Sequence, residues 1–214
     1  MNIEKAYNSW AKQYDSNQNK TRDLDIKSTI ETLSKYKFDV VLELGCGTGK
    51  NTRWLLTKAK QVIGLDFSQE MLTIAKEKIN DKRFEFKKVD LTKKWNIDNQ
   101  IADLVTSSLT LEHIEDLGHI FNQSNQTLKE NGLFFISEYH PFKQYSGKGA
   151  RYESENGIVE LDVYTHHTTD FINSAINNGF TLIEIKEWFD GIEEGETPRL
   201  ISFVFQKEST VHGL

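Results

Sequence analysis

Along this chain, short apolar runs alternate with longer stretches in which apolar residues recur every three or four positions. From residue 39 onward the runs fall at 40–42, 62–65, 84–86, 104–105 and 133–136, each with the apolar make-up of a strand. Helix-length segments separate most of them, at 50–59, 69–79 and 115–129, the last closed by the stop signal Asn131-Gly132. This alternation predicts an α/β fold, a doubly wound and mostly parallel sheet of about seven strands with helices on both faces. Ahead of the sheet, 5–14 and 23–35 have helical spacing, with Ile26, Ile30 and Leu33 on one face of the second. Residues 1–36 are therefore expected to form N-terminal helices. Beyond the fifth strand, 141–164 is rich in Gly, Tyr and charge, and segments of that length are commonly functional, so 141–165 is expected to be an inserted substrate cap. A helix at 169–177 should stop at Asn178-Gly179, and the runs 181–188 and 200–206 are expected to pair as an antiparallel hairpin at the sheet's edge.

Composition narrows this picture. A length of 214 residues suits one domain, 1–214, with a full core rather than two domains. No apolar run approaches the ~20 residues that span a bilayer, and Met1-Asn2-Ile3-Glu4-Lys5 does not open a secretory signal, so a cytoplasmic location is expected. The single cysteine, Cys46, excludes an internal disulfide and offers little for structural zinc, and no metal site is expected. A net charge of -6 argues against nucleic acid as the partner. The lysines and arginine between Lys76 and Lys94 are interspersed with Glu77, Asp81, Glu85 and Asp90, which reads as a solvated face.

The chemistry concentrates where the first apolar run meets alternating glycines, in Glu43-Leu44-Gly45-Cys46-Gly47-Thr48-Gly49. Glycines there let the backbone turn sharply and approach a ligand, and the helix that follows offers free N–H groups to an anionic group. A phosphate-binding P-loop requires glycine and Ser/Thr where Leu44 and Asn51 stand, and a dinucleotide fingerprint requires glycine at Lys50. Neither pattern is met. What remains, an acid followed by Gly-x-Gly-x-Gly, resembles motif I of the class I S-adenosylmethionine-dependent methyltransferases, whose sheet is Rossmann-like.

The resemblance extends from about 40 to 132 and names further positions. It implies S-adenosyl-L-methionine as cofactor and S-adenosyl-L-homocysteine as product, with Glu43, Gly45, Cys46, Gly47 and Gly49 in the binding loop. Asp66 ends the second strand where the family places its ribose-binding acid, and Phe67 and Met71 match apolar positions flanking the adenine. Asp90 and Leu91 follow the third strand where the adenine amino group is received, and Ser107 follows the fourth in the segment lining the methionine part. Upstream, Tyr7 to Asp15 resembles a segment that closes over the cofactor in many such enzymes. It makes Tyr14 and Arg22 donors toward cofactor or acceptor.

On the acceptor side, a histidine or carboxylate beside the nucleophile would assist proton removal. His140, in Glu138-Tyr139-His140-Pro141-Phe142 after the fifth strand, is the first choice, and His113 after the fourth is the second. His166 and His167 lack spaced partners for a metal. Tyr139, Phe142, Tyr145, Tyr152 and Tyr164 make the cap aromatic. The expected activity is methyl transfer to an O, N or S nucleophile of a small molecule; the alternatives are an RNA or protein methyltransferase, or a non-catalytic cofactor-binding partner subunit. The oligomeric state is left open.

Overall fold

A computed structural model describes residues 3–16, 18–146, 151–154, 157–160, 163–191 and 197–209, with backbone alone at 12, 151–154 and 157–160. Its centre is a seven-stranded sheet. Strands β1 (Val40–Leu44), β2 (Gln61–Asp66), β3 (Phe84–Lys88), β4 (Ala102–Ser108) and β5 (Leu128–Tyr139) run parallel in the order β3-β2-β1-β4-β5. The edge is completed by β8 (Phe180–Trp188) and β9 (Leu200–Lys207). The last strand inserts between β5 and β8 and is antiparallel to both. The chain winds outward from β1 to β3 and then resumes at β4 on the other side of β1. That reversal opens a crevice at the carboxyl ends of β1 and β4, the place where open α/β sheets hold ligands.

Because β1 is buried on both faces, it is apolar almost throughout, and Val41, Leu42 and Leu44 have no exposed surface. One face carries Val41, Val62, Leu104 and Phe135 against Leu33, Leu55, Ala75 and Ile79 of the helical layer. The opposite face carries Leu42, Ile63, Val105 and Phe134 under Ile120, Phe121, Phe171 and Ala175. The helices are α1 (Ile3–Tyr14), α2 (Lys20–Leu33), α3 (Thr52–Leu55), α4 (Gln69–Lys78), α5 (Leu117–Thr127), α6 (Pro141–Tyr145) and α7 (Thr168–Asn177). Side-chain caps start several of them: Asn19 accepts from Arg22 N–H, Ser68 from Met71 N–H and Asp116 from His119 N–H. Among the described residues, no helix is long and apolar enough to cross a membrane.

Three expectations change. The helix expected at 50–59 contracts to α3, because Thr57 and Lys58 donate to the carbonyls three residues back and close the segment with tight turns. Asn131-Gly132 does not stop a helix. Helix α5 ends at Thr127, and β5 pairs Leu128 with Ala102 before the register jumps to Leu133 opposite Leu104. The extra residues form a bulge in which Asn131 takes φ 61°. The segment 141–165 is not one loop, since it holds α6 and a small hairpin of β6 (Arg151–Ser154) and β7 (Gly157–Glu160). Residues 147–150, 155, 156, 161 and 162 of that cap, and the Tyr152 side chain, lie outside the described residues.

Candidate functional site

Strand β1 delivers its glycines to the crevice in the left-handed region, with φ of 66° at Gly45, 53° at Gly47 and 81° at Gly49. At Gly45 a Cβ would stand 2.1 Å from Thr110 Oγ1, so the loop passes the end of β4 at a separation only glycine permits. At Gly47 a Cβ would meet nothing within 4 Å, which leaves open space above the loop's middle. The Gly47 N–H donates to Asp66 Oδ2 at 2.8 Å, and Asp66 Oδ1 accepts from Ser68 N–H at 2.8 Å. Burial pushes the Asp66 carboxyl up to about 6. Each of its oxygens has a second lone pair for a ligand hydroxyl.

Glu43 lies beneath the loop, where Thr52 Oγ1 donates to it at 2.5 Å and burial raises it to about 8. Cys46 is buried, and a Cβ on Gly64 would lie 2.8 Å from its Sγ. The cysteine fills the gap Gly64 leaves, and burial pushes its thiol well above the usual range. It packs; it is not poised as a nucleophile.

The wall opposite the loop comes from the N-terminal helices. Arg22, 5% exposed, donates to the Tyr14 carbonyl and holds its guanidinium 4.1 Å from the Tyr14 ring centroid. A cavity of about 50 Å³ remains, lined by Tyr14, Arg22, Asp25, Gly45, Thr106 and Ser108 among others. Ligand pockets are commonly ~300 Å³ or more. Tyr14, Arg22 and Asp25 of the N-terminal segment thus stand over the crevice as its cover.

Strand alternation decides which β4 residues face this space: Thr106 and Ser108 line it, whereas Ser107, the residue expected there, turns to the other face. Asp25 and Asn51 were not singled out from the sequence either. The helical spacing picked out Ile26, Ile30 and Leu33 as the inner face of α2, whereas the helix buries Arg22, Asp25, Ser28, Thr29, Thr32 and Leu33. Phe67 stands at the β2 end, its ring 5.7 Å from that of Tyr7, and Met71 is buried at the start of α4. Asp90 is exposed and accepts from Thr92 N–H and Oγ1 at 3.0 and 2.6 Å, while Leu91 is buried and its carbonyl accepts from Trp95 Nε1. Asp90 thus stands at the β3 end as a turn-forming residue, and like Asp66, Phe67 and Met71 it lies outside the lining of the small cavity.

The two candidate histidines differ. His113 ends a short 3₁₀ turn after β4, and its Nε2 is 2.8 Å from the hydroxyl of Tyr7 on α1. Around it are Glu112, raised to about 7 by burial, and Glu138, raised to about 8 by burial with Glu112 adding to the effect. Glu138 Oε1 accepts from Thr110 and Leu111 N–H at 2.9 and 2.8 Å, while Oε2 of each glutamate is buried without a hydrogen-bond partner. His140, by contrast, caps α6. Its Nδ1 accepts from Phe142 N–H at 3.1 Å, which places the proton on Nε2, and Nε2 faces Glu187 Oε1 of β8 at 3.1 Å. Burial lowers its pKa. Both ring nitrogens thus serve the cap and the edge strand, for a structural reason the sequence did not show. His166 Nε2 meets the Ile114 carbonyl at 2.8 Å and His167 Nδ1 the Tyr145 hydroxyl at 2.6 Å. No metal-binding cluster is present among the described residues.

The donor set fits S-adenosylmethionine. Buried and unpartnered at the cavity are Asp25 Oδ1 and Thr106 Oγ1, beside a glycine loop with open space above it. Comparison with known proteins agrees. Residues 42–136 match the family described as a methyltransferase domain. The malonyl-[acyl-carrier protein] O-methyltransferase of Acetivibrio thermocellus is 30% identical over 137 residues, covering 63% of this chain and 46% of that protein. The chain spans 57%, 46% and 38% of the first three curated relatives it matches, about half their length. Among solved structures, an S-adenosylmethionine-dependent methyltransferase from Mesorhizobium loti superposes with TM-score 0.72 at 22% identity, covering 86% of this chain and 98% of that one. The DhpI–SAH complex superposes with TM-score 0.76 at 20% identity, covering 97% and 96%.

Proposed function

We propose that this chain, which belongs to the class I S-adenosylmethionine-dependent methyltransferases, methylates an O, N or S nucleophile of a small molecule and releases S-adenosyl-L-homocysteine. The observation that carries the reading is the hydrogen bond between Tyr7 and His113, which joins two segments 106 residues apart beside the β1 and β2 ends. When bound, S-adenosylmethionine supplies a sulfonium methyl open to in-line attack. The chain's residues do the rest. Asp66 and the Gly45–Gly49 backbone hold the nucleoside, Phe67 and Met71 offer apolar flanks, and Tyr14 with Arg22 closes the amino-acid end. His113 orients the acceptor nucleophile and takes its proton where it has one to lose, with Tyr7 fixing the ring.

A site closed by the chain's own α1 and α2, in a protein of net charge -6, supports a small acceptor over RNA. His113, not His140, takes the acceptor-side role in this reading, because Tyr7 of α1 ties it to the wall over the crevice, whereas His140 caps α6.

The test begins with labelled cofactor, pure protein and a metabolite extract, with labelled products sorted by size and identified by mass spectrometry. Label in a small molecule is the expected outcome, and label confined to RNA, to protein or to nothing overturns the reading. With the acceptor in hand, His113→Ala is expected to slow single-turnover transfer by ~10²–10⁴ while S-adenosylhomocysteine affinity stays near wild type. Wild-type turnover in a folded variant would falsify the assignment of His113.

A further inference from the structure

Asp25 has no role in the reading above, yet it is among the most deeply enclosed charges of the molecule. It lies on α2 three residues after Arg22, so the two side chains share one helix face, a turn apart. They are 4% and 5% exposed, and both line the cavity at the glycine loop. Asp25 Oδ2 accepts from Asn51 Nδ2 at 2.9 Å. Burial pushes its carboxyl up from the usual range, against the hydrogen bonds of Asn51, Ser137 and Ser108, and Oδ1 is shut from solvent without a hydrogen-bond partner. Removing a carboxylate oxygen from water without replacing its hydrogen bonds is costly, and such an atom in a cavity calls for a donor from elsewhere.

Charge indicates what kind of donor. Glu43 and Glu138 are close enough to Asp25 for each to be raised further by it. The cations lining the same cavity are Arg22 and Lys50, and Lys50 is paired with Asp23 at 3.1 Å. Arg22 lines the same cavity, yet no hydrogen bond reaches Oδ1, so the space next to that oxygen is open to a donor from a ligand. The Arg22 guanidinium and the Asp25 carboxylate, side by side on one wall, complement a group that carries both charges close together. An α-amino acid is such a group.

We infer that Asp25 Oδ1 receives the α-ammonium of the cofactor's amino-acid end while Arg22 faces its carboxylate, so that α2 reads the zwitterion as a pair. This inference rests on the cofactor reading above, and the experiment separates the two. Calorimetric titration of the full chain uses three probes. These are S-adenosylhomocysteine, with the whole amino-acid end; S-adenosyl-3-thiopropylamine, with the ammonium but no carboxylate; and 5′-methylthioadenosine, with neither.

Asp25→Asn is expected to weaken S-adenosylhomocysteine and the propylamine by about 10–100-fold, typical of a lost charge-assisted hydrogen bond, and to leave methylthioadenosine within about twofold. Arg22→Gln is expected to weaken S-adenosylhomocysteine but not the propylamine. Asp25→Glu, which keeps the charge, should restore part of the loss. If Asp25→Asn does not fold, Asp25→Ser carries the same comparison. Equal weakening of all three probes, or of none, makes Asp25 a structural residue and overturns the inference while the cofactor reading stands. A wild-type protein that binds neither S-adenosylhomocysteine nor methylthioadenosine overturns both.

Discussion

Helices α2 and α5 lie on opposite faces of the same strand β5, and they are built from opposite materials. Helix α5 buries Leu117, Ile120 and Phe121 together with Ser124 and Thr127, and Phe121 packs edge-on against Phe134, Phe180 and Phe205 with ring centroids 5.1, 5.8 and 5.4 Å away. Helix α2 buries Arg22, Asp25, Ser28, Thr29 and Thr32, with Leu33 as its apolar end. Ser28 Oγ meets Ser137 Oγ of β5 at 2.9 Å, and Thr29 and Thr32 keep hydroxyls without hydrogen-bond partners. An apolar face loses its hydrophobic stabilisation when it parts from the sheet, whereas a polar face regains hydrogen bonds from water. The α5 face is an apolar core, whereas the α2 face over the crevice consists of polar contacts that water could replace.

The sharpest way to break this comparison is to truncate each face. Phe121→Ala is expected to cost about 3–5 kcal/mol in denaturant unfolding, whereas Thr29→Ala should cost under about 1 kcal/mol. Equal losses would mean that α2 is held as firmly as α5.

A second expected effect is in the pH dependence of stability. Burial raises Glu43 and Glu138 from 4.5 to about 8, so between those values the folded protein binds more protons than the unfolded chain. Stability therefore falls as pH rises through that window and is greatest at its acid end. Ligand-free protein is expected to melt on the order of several degrees higher near pH 5 than near pH 8. Glu138→Gln should flatten that slope. Phe121→Ala, which removes no titrating group, should lower melting similarly at both ends, and a slope unchanged by Glu138→Gln would refute the assignment of the pH dependence to the buried glutamates.

The smallest effect concerns His140. Since it caps α6 through Nδ1, His140→Ala is expected to cost about 0.5–2 kcal/mol, with Asn recovering part of the loss, and to leave single-turnover methyl transfer within about threefold. A rate loss approaching that of His113→Ala, in a folded protein, would return the acceptor-side role to the end of β5.

The sequence alone determined what depends on neighbours along the chain. The strand and glycine loop from Val40 to Gly49 were legible because alternation and turn chemistry act over a few residues, whereas the helix expected at 50–59 shortened to α3. Asp66 was legible because it ends the next strand, and the reversal of winding places successive strand ends around one crevice. Tertiary structure decided what depends on partners far away in sequence. His140 and His113 look alike in the sequence, each a histidine just after a strand. Glu187 of β8 and the α6 backbone claimed one, and Tyr7 of α1 met the other. Ser107 lost its expected place to Thr106 and Ser108 because the β4 register turns alternate residues to opposite faces. Asp25 became part of the site only when α2 laid its polar face on β5 beside the glycine loop. The physical reason is common to all of these: periodicity and turn preference are local energies, while the hydrogen bonds a polar group makes depend on which distant segment the fold brings against it.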